Sequence, residues 1–427
     1  MGVFFWVVAI ALAILILIFF GHLYLGGNFR RQGAYRLVGL PSSAPHFLAT
    51  VASMSDSLMT EGAIARFWSD IDRIQTARLQ LISQAQELIQ FETFMMTPGE
   101  RSAKFATLLK QKAAEGVTVQ VLADSYGAHS LPATYWRQLQ NAGVEVRFFN
   151  PFSKRAPLDF LRRNHRKLLV VDQQIAMVGG AGIADCWDGK DQYAGETPWY
   201  DFEVELRGKV VGLLTGFFWQ HWLSEGGTVD LQNHLPERAH RSESVPVLIT
   251  PGEDPSMGDS PIRSLLHLCI ASAQQRLWIA SPYLLPDKAT CQMLTDAHEH
   301  GVDVRILTMG PKSDKPYVCY VSRERYGLLL QQGIKVHEYQ PSMMHAKIIL
   351  IDDRWVSFGS ANLDPRSFFH NDELNICTSA PALVQDVHEF FQQGFGESCL
   401  IQPDHWQKRP LKQKLMGRLG NLFYWQL

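Results

Sequence analysis

Two short segments of the chain combine a histidine, a lysine and an aspartate at identical spacing. HRKLLVVD runs from His165 to Asp172, and HAKIILID runs from His345 to Asp352. Histidine and lysine are two residues apart, so on a strand their side chains share a face and are about 6.6 Å apart. That separation suits two groups that hold one phosphate. The aspartate has the opposite parity and ends the strand, so we expect it to support the site from a turn.

These residue types can carry out phosphodiester transfer. An imidazole titrates near pH ~6.5, so small changes in its environment make it neutral for attack or charged for proton donation. Attack by one histidine would form a phosphohistidine and divide a difficult transfer into two easier steps. Lys167 and Lys347 would neutralise the non-bridging oxygens in the transition state. This chemistry needs no metal or other cofactor, and His298 and His300, at a predicted helix end, are not predicted to be metal ligands.

The two segments belong to a longer internal repeat, whose offset is 345 − 165 = 180 residues. A small-residue turn follows each segment, VGGAG (Val178 to Gly182) and FGSAN (Phe358 to Asn362). Upstream, GVTVQVLAD (Gly116 to Asp124) parallels GVDVRILTM (Gly301 to Met309). An internal repeat determines the architecture, so we predict two copies of one folding unit.

Strand-like and helix-like segments alternate within each copy. The apolar run Ile348 to Ile351 is typical of a strand that is buried on both faces of a sheet. Ser69 to Ile89 has helical spacing, with Ser69 as the predicted N-cap. The alternation predicts an α/β fold in which helices cover a mixed sheet.

Composition limits the class of protein. Hydrophobic residues make up 46% of the 427 residues and charged residues 19%, which allows a sizeable core and excludes a disordered protein. A net charge of −2 argues against nucleic acid as a partner. The six cysteines form no CxxC pair, so they indicate neither a disulfide framework nor a zinc site.

The N-terminus predicts a membrane anchor. Val3 to Phe20 is uninterruptedly apolar, and the stretch to Leu25 is long enough to span a bilayer. It lacks the basic start and the short apolar core of a signal peptide. The next charges, Arg30, Arg31 and Arg36, follow the helix, so the positive-inside rule predicts a cytoplasmic body.

The C-terminal tail is basic, and its leucines share one helical face (Leu411, Leu415, Leu419 and Leu422). Such a helix can lie in an anionic membrane interface. An ordinary solvated or packed helix is an equal alternative. The expected segments are an anchor (3–25), a connector (26–68), a first repeat (69–225), a linker (226–259), a second repeat (260–400) and the tail (401–427).

The duplicated HxKxxxxD motif and its GSxN-type turn resemble the phospholipase D superfamily. The segment from His345 to Ile376 resembles the bacterial cardiolipin synthase branch, and the similarity covers roughly residues 70 to 400. The resemblance implies a duplicated phospholipase D fold, in which two α-β-α half-domains with mixed sheets are related by a pseudo-twofold axis after one N-terminal transmembrane helix. It also implies that His165 is the nucleophile and that His345 is the general acid and later the base.

The resemblance further implies a set of site residues. Asp201 in WYDFEVEL and Glu373 in NDELNI would orient the histidine rings, and Asn362 of the GSAN turn would donate to phosphate, with Ser360 in the same turn. The catalytic residues carried over from the two motifs are His165, Lys167, Asp172, His345, Lys347 and Asp352.

The first copy departs from the family pattern. It reads GGAGIAD, with Gly182 where the family more often has asparagine. The amide donor is therefore missing from this half, or a backbone N–H group or Asp185 replaces it. The two halves are then expected to bind phosphate unequally.

The implied activity is that of a membrane-anchored phosphatidyltransferase of the cardiolipin synthase type, without a cofactor. Its partners would be anionic phospholipids such as phosphatidylglycerol and the membrane, and its location the bacterial inner (cytoplasmic) membrane, with a single span. The alternatives are a phospholipase D that produces phosphatidic acid, a phosphatidylserine synthase, an enzyme that uses phosphatidylethanolamine as co-substrate, a membrane-tethered nuclease, and a catalytically silent binding module.

Overall fold

The structure, a computed structural model, describes residues 2–25, 37, 39–154, 159–190, 197–231, 244–252 and 260–426. The chain divides into two units, Met1–Arg36 and Leu37–Leu427. In the first unit, helix α1 (Gly2–Leu25) is long and apolar enough to cross a membrane, as judged by length and composition. The arginines on which the expected orientation depends lie outside the described residues, as do 232–243 and 253–259 of the expected linker.

The second unit contains both histidine motifs. Its helices are α2 (Phe47–Met54), α3 (Ile71–Gln84), α4 (Glu100–Ala114), α5 (Ala133–Asn141), α6 (Lys209–Ser224), α7 (Pro261–Ser272), α8 (Lys288–Glu299), α9 (Pro316–Arg325), α10 (Gly327–Gln331), α11 (Pro365–Phe369), α12 (Pro381–Gly396), α13 (Pro403–Gln407) and α14 (Leu411–Asn421). Its strands are β1 (Leu58–Trp68), β2 (Leu88–Thr93), β3 (Thr118–Asp124), β4 (Glu145–Phe149), β5 (Arg163–Asn164), β6 (Leu168–Val171), β7 (Ile175–Gly179), β8 (Glu203–Arg207), β9 (Val245–Gly252), β10 (Arg276–Ala280), β11 (Asp303–Met309), β12 (Lys335–Tyr339), β13 (Ile348–Ile351), β14 (Trp355–Gly359), β15 (Asn371–Thr378) and β16 (Ser398–Leu400).

The strands form one mixed sheet with a repeated order. From the antiparallel pair β1–β9 at its centre, one half continues as β8-β7-β6-β2-β3-β4 and the other as β15-β14-β13-β10-β11-β12-β16. The strands within the two motifs, β6 and β13, therefore occupy equivalent positions. This order confirms the duplicated phospholipase D fold and its pseudo-twofold relation.

The two central strands lie in the ranges expected to be connector and linker. In β1, Ala63 to Trp68 pair with β8 and Leu58 to Gly62 pair with β9. A bulge between Ile64 and Arg66 interrupts the register, and most side chains of β1 are exposed or half-buried. The strand therefore lacks the alternation that would have predicted it.

Helices cover both faces of the sheet. In β6, Leu168 and Val170 belong to the core that includes α6 and α12, whereas Leu169 and Val171 belong to the core formed with α3, α4 and α5. The strand is therefore buried on both faces, as its apolar sequence predicts. Because both faces are fixed, the residues that immediately precede β6 are held rigidly.

Candidate active site

The backbones of the two histidines are each held by the opposite half of the chain. The N–H group of His165 donates to the carbonyl of Asp372 at 2.8 Å, next to the pairing of β5 with β15. The N–H group of His345 donates to the carbonyl of Tyr200 at 2.7 Å. The two motifs are therefore anchored across the boundary between the repeats.

The side chain of His165 contacts a carboxylate from the second half. Its Nδ1 lies 2.9 Å from Oε2 of Glu373, which is fully buried on β15. The hydroxyl of Ser360 donates to the same carboxylate at 2.5 Å, and that of Ser367 donates at 2.7 Å. Glu373 therefore holds the ring and is itself fixed by two hydroxyl donors.

The side chain of His345 contacts a carboxylate from the first half. Its Nδ1 lies 2.8 Å from Oδ2 of Asp201, which is also fully buried. The indole Nε1 of Trp187 donates to that oxygen at 2.9 Å. The rings of Trp187 and Trp199 pack against the imidazole, with centroids at 5.4 and 5.6 Å.

The two histidine–carboxylate pairs are therefore crosswise, because each histidine is oriented by an acid of the other half. A carboxylate at Nδ1 favours the tautomer with a proton there, which leaves Nε2 to attack or to exchange protons. The sequence analysis identified both acids, but the structure shows which ring each one serves. Neither half contains a complete pair by itself.

Both lysines lie beside their histidines and are buried. Nζ of Lys167 donates to the carbonyl of His165 at 2.6 Å, and Nζ of Lys347 donates to that of His345 at 2.6 Å. Lys347 lowers the pKa of His165, and Lys167 lowers that of His345. These mutual effects place both motifs in one cluster of charges.

Burial and the lysine charges make both imidazoles less basic. Burial is the larger cause and the lysines add to it, so the pKa of His165 lies well below its usual value and that of His345 falls to about 4. Burial also lowers the pKa of Lys347 to about 8. These shifts favour the neutral form of both rings, and a phosphate anion would offset the lysines and raise the pKa of the proton donor.

The two orienting acids differ in their electrostatics. Burial raises the pKa of Glu373 to about 7, against the charge of Lys167. Burial also acts to raise the pKa of Asp201, but the contact with His345 and the charge of Lys347 outweigh it, and the pKa is lowered. The two pairs are alike in geometry and unlike in charge.

Asp172 and Asp352, which the family resemblance groups with the catalytic residues, support strand ends, as their parity in the sequence predicts. Each accepts hydrogen bonds from three consecutive backbone N–H groups, which belong to residues 86–88 for Asp172 and 274–276 for Asp352. These groups lie where β2 and β10 begin, and the aspartate ends β6 or β13, about 16 Å along the strand from the lysine. Both aspartates therefore fix strand ends and do not contact the histidines.

The turn that follows β14 has two roles. Ser360 donates its hydroxyl to Glu373, and its contact with phosphate stays a prediction. Asn362 is buried, its N–H donates to the hydroxyl of Ser367 at 3.0 Å, and its side-chain Oδ1 has no hydrogen-bond partner among the described residues. The donor to a phosphate would be the Nδ2 group of this amide, so the phosphate contact stays a prediction.

The corresponding turn of the first half has no room for an asparagine. A Cβ atom on Gly182 would lie 2.6 Å from the carbonyl oxygen of Met95. Asp185 does not replace the amide, because its carboxylate accepts from the N–H groups of Glu100 and Arg101 at the start of α4. The turns of the two halves therefore differ in their side chains, and unequal binding of phosphate stays a prediction.

Two polar contacts of the site were not identified from the sequence. Ser367 lies within the segment from His345 to Ile376 that carries the family resemblance, so its position near the GSAN turn was a usable signal. Trp187 gave no such signal, because it precedes Asp201 by 14 residues and a side chain as large as tryptophan usually packs in the core.

Comparison with known proteins agrees with this geometry. A family described as "Cardiolipin synthase, PLD-like domain" matches residues 79–185 and 266–394. A cardiolipin synthase of Geobacillus sp. (strain WCH70) is 36% identical over 353 residues, which are 80% of this chain and 68% of the relative. Cardiolipin synthase 2 of Bacillus cereus is 32% identical over 86% of this chain and 70% of its own length.

One solved structure supports the fold independently of close sequence similarity. The crystal structure of phosphatidylserine synthase from Haemophilus influenzae Rd KW20 has a TM-score of 0.69 and 15% identity, and the match covers 89% of this chain and 100% of that protein. With the family match on both repeats, these findings establish that the chain belongs to the cardiolipin synthase family of the phospholipase D superfamily.

Proposed function

We propose that the protein is a phosphatidyltransferase that converts two molecules of phosphatidylglycerol into cardiolipin and glycerol. The observation that carries the proposal is the crosswise arrangement of two complete histidine–carboxylate pairs and two buried lysines in one charged cluster. Relatives that match most of the chain are named cardiolipin synthases, which supports this acceptor over others.

The first step forms a phosphatidyl-enzyme. Nε2 of His165 attacks the phosphorus, the bond from phosphorus to the glycerol headgroup breaks, and His345 gives its proton to the departing glycerol oxygen. Lys167 and Lys347 stabilise the negative charge on the non-bridging oxygens. Burial lowers the pKa of His345 to about 4, so the substrate phosphate must raise it before this step.

The second step transfers the phosphatidyl group to a lipid. His345, now neutral, removes the proton from a headgroup hydroxyl of a second phosphatidylglycerol. The hydroxyl oxygen attacks the phosphorus, and the bond from phosphorus to Nε2 of His165 breaks. Charges and protons return to their starting places, so the pair of steps needs no cofactor.

We place the enzyme in the bacterial cytoplasmic membrane, with α1 as a single-span anchor and the second unit in the cytoplasm. Anchoring would raise the effective concentration of lipid at the site without any additional contact. The long apolar helix and the lipid chemistry of the family support this location.

Thin-layer chromatography of the products from labelled phosphatidylglycerol tests the proposal. We expect cardiolipin and glycerol from the native protein, and neither from His165→Ala or His345→Ala, although both variants should fold. Phosphatidic acid without cardiolipin would show that water is the acceptor and would overturn the transferase proposal in favour of a phospholipase D.

A further inference from the structure

Helix α14 near the C-terminus packs against the protein by its glycine side. A Cβ atom on Gly417 would lie 2.6 Å from the carbonyl oxygen of Tyr320, and one on Gly420 would lie 2.4 Å from Cγ2 of Val321. Tyr320 and Val321 belong to α9, so the two helix backbones approach closely at these glycines. The side of α14 that faces the protein is therefore its least apolar one.

The leucines of α14 face away from the protein. Leu411 is 83% exposed, Leu415 60%, Leu419 51%, and Leu422, just after the helix, 61%. At 3.6 residues per turn these four share one face, roughly opposite Gly417. The sequence left a packed helix and an interfacial helix as equal alternatives, and the exposed leucines exclude packing of this face within the described chain.

The charge of the segment matches an anionic surface. From His405 to Leu427 there are five basic residues and no acidic residue. Arg409 is bound to Glu324 of α9 at 3.0 Å, whereas Lys412 and Arg418 are exposed and flank the leucine face on either side. An apolar stripe flanked by cations is typical of a helix that lies in the plane of an anionic bilayer.

We propose that α14 lies in the headgroup region of an anionic phospholipid bilayer, with its leucines inserted and with Lys412 and Arg418 at lipid phosphates. The bilayer is favoured over a protein groove because the cations border both edges of the apolar face. This inference concerns a membrane contact additional to α1 and does not depend on the proposed reaction.

The contact would also orient the active site. The single helical turn Tyr424–Gln426 that follows α14 packs on α11, which carries Ser367, a donor to Glu373. Helix α9, on which α14 rests, directly follows Lys315, whose charge lowers the pKa of His165. A bilayer at α14 would therefore lie close to elements that build the catalytic cluster.

Depth measurement with a spin label on the full-length chain tests the proposal. Leu415→Cys is labelled with a nitroxide in a protein whose exposed Cys399 is changed to serine, and the protein is reconstituted in nanodiscs of phosphatidylcholine with or without phosphatidylglycerol. We expect collisions with oxygen to exceed those with a water-soluble nickel complex by several-fold in anionic discs only. Adding Lys412→Glu and Arg418→Glu should reverse that ratio.

The matched control is Leu223→Cys at the end of α6, where the leucine is 53% exposed. Its label should remain accessible to the nickel complex in both kinds of disc. Three results would each overturn the proposal. They are water accessibility of residue 415 in anionic discs, equal burial of residue 415 in neutral discs, and spin–spin broadening that indicates a second copy of the chain. Because the readout does not need turnover, failure of cardiolipin synthesis would leave it unaffected.

Discussion

At the residue scale, the two catalytic imidazoles differ through the groups that hold their acids. Glu373 accepts two side-chain hydroxyl groups, whereas Asp201 accepts the indole N–H of Trp187. A hydrogen bond to a charged group contributes about 1.5–3 kcal/mol, which is more than one between neutral groups contributes. Trp187 therefore helps to keep Asp201 ionised, and Asp201 in turn orients His345.

Trp187→Phe should lower kcat about tenfold or more, because phenylalanine retains the aromatic packing and removes the donor to Asp201. Loss of the donor removes one cause of the low pKa of Asp201, so that pKa should rise and the acid limb of the pH–rate profile should move to higher pH. The matched control is Trp199→Phe, because Nε1 of Trp199 has no hydrogen-bond partner among the described residues. Equal effects of the two changes would assign Trp187 a packing role only.

The charge of Lys347 sets a second pH dependence. Its pKa is lowered from the usual value to about 8, so the ammonium loses its proton as the pH rises through that value. We therefore expect kcat/KM to fall above about pH 8, since one cation is lost from the phosphate site. In Lys347→Arg the guanidinium stays charged, and the residual activity should lack this alkaline limb. An unchanged limb in that variant would assign the titration to another group.

At the element scale, the sequence predicted the buried strands within each repeat better than the two central strands that join the repeats. The apolar runs of β6 and β13 identified buried strands, and the repeat showed that they are equivalent. Helix α3 was also predicted, but Asp70, and not Ser69, accepts the capping hydrogen bond from the N–H of Arg73. The central strands β1 and β9 were missed, because neither has the regular alternation of buried and exposed residues on which prediction depends.

The aspartates of the two motifs show a different limit. The family resemblance grouped them with the catalytic histidines, whereas their opposite parity on the strand predicted a supporting position at its end. Both have positive φ, +49° at Asp172 and +50° at Asp352, a conformation that aspartate and asparagine tolerate. Spacing alone cannot distinguish a catalytic residue from one that fixes the end of the strand on which the catalytic residue lies.

Asp352→Asn should therefore lower stability more than turnover. The amide group keeps the size and the backbone conformation of aspartate but loses the charge and half of the acceptor capacity for the three N–H groups. We expect the free energy of unfolding to fall by about 1–3 kcal/mol, measured by denaturant titration, and kcat to stay within about threefold at temperatures where the protein is folded. A loss of kcat comparable to that of His345→Ala would restore the aspartate to the catalytic group.

At the scale of the whole molecule, the active site exists only where the two repeats meet. The repeat in the sequence predicted two copies of one folding unit, and the family resemblance implied their pseudo-twofold relation and identified Asp201 and Glu373. The crosswise pairing could not be predicted from the sequence. Asp201 follows the first motif and Glu373 follows the second, so their order along the chain would pair each acid with the histidine of its own half. The assignment of an acid to a ring depends on how β5 meets β15 and how Tyr200 meets Met344, which are contacts between segments far apart in sequence.

The crosswise pairing makes a prediction that separates the two chemical steps. A phosphatidyl ester of p-nitrophenol has a leaving group that departs without a proton, so the first step needs the nucleophile His165 but not the acid His345. Asp201→Asn, which removes the charge of the acid that holds His345, should release a rapid burst of about one nitrophenolate per active site and then turn over slowly. Glu373→Gln, which disturbs the nucleophile, should give no burst, as should His165→Ala.

Stopped-flow absorbance measures the burst, and mass spectrometry of base-quenched samples should locate the phosphatidyl group on His165 in the Asp201→Asn variant. Distance along the chain does not determine which acid holds which ring, because Glu373 follows His165 by 208 residues and still contacts its imidazole. If each acid instead served the histidine of its own half, the burst would persist in Glu373→Gln and disappear in Asp201→Asn. That opposite outcome would contradict the crosswise pairing on which the proposed assignment of nucleophile and acid is built.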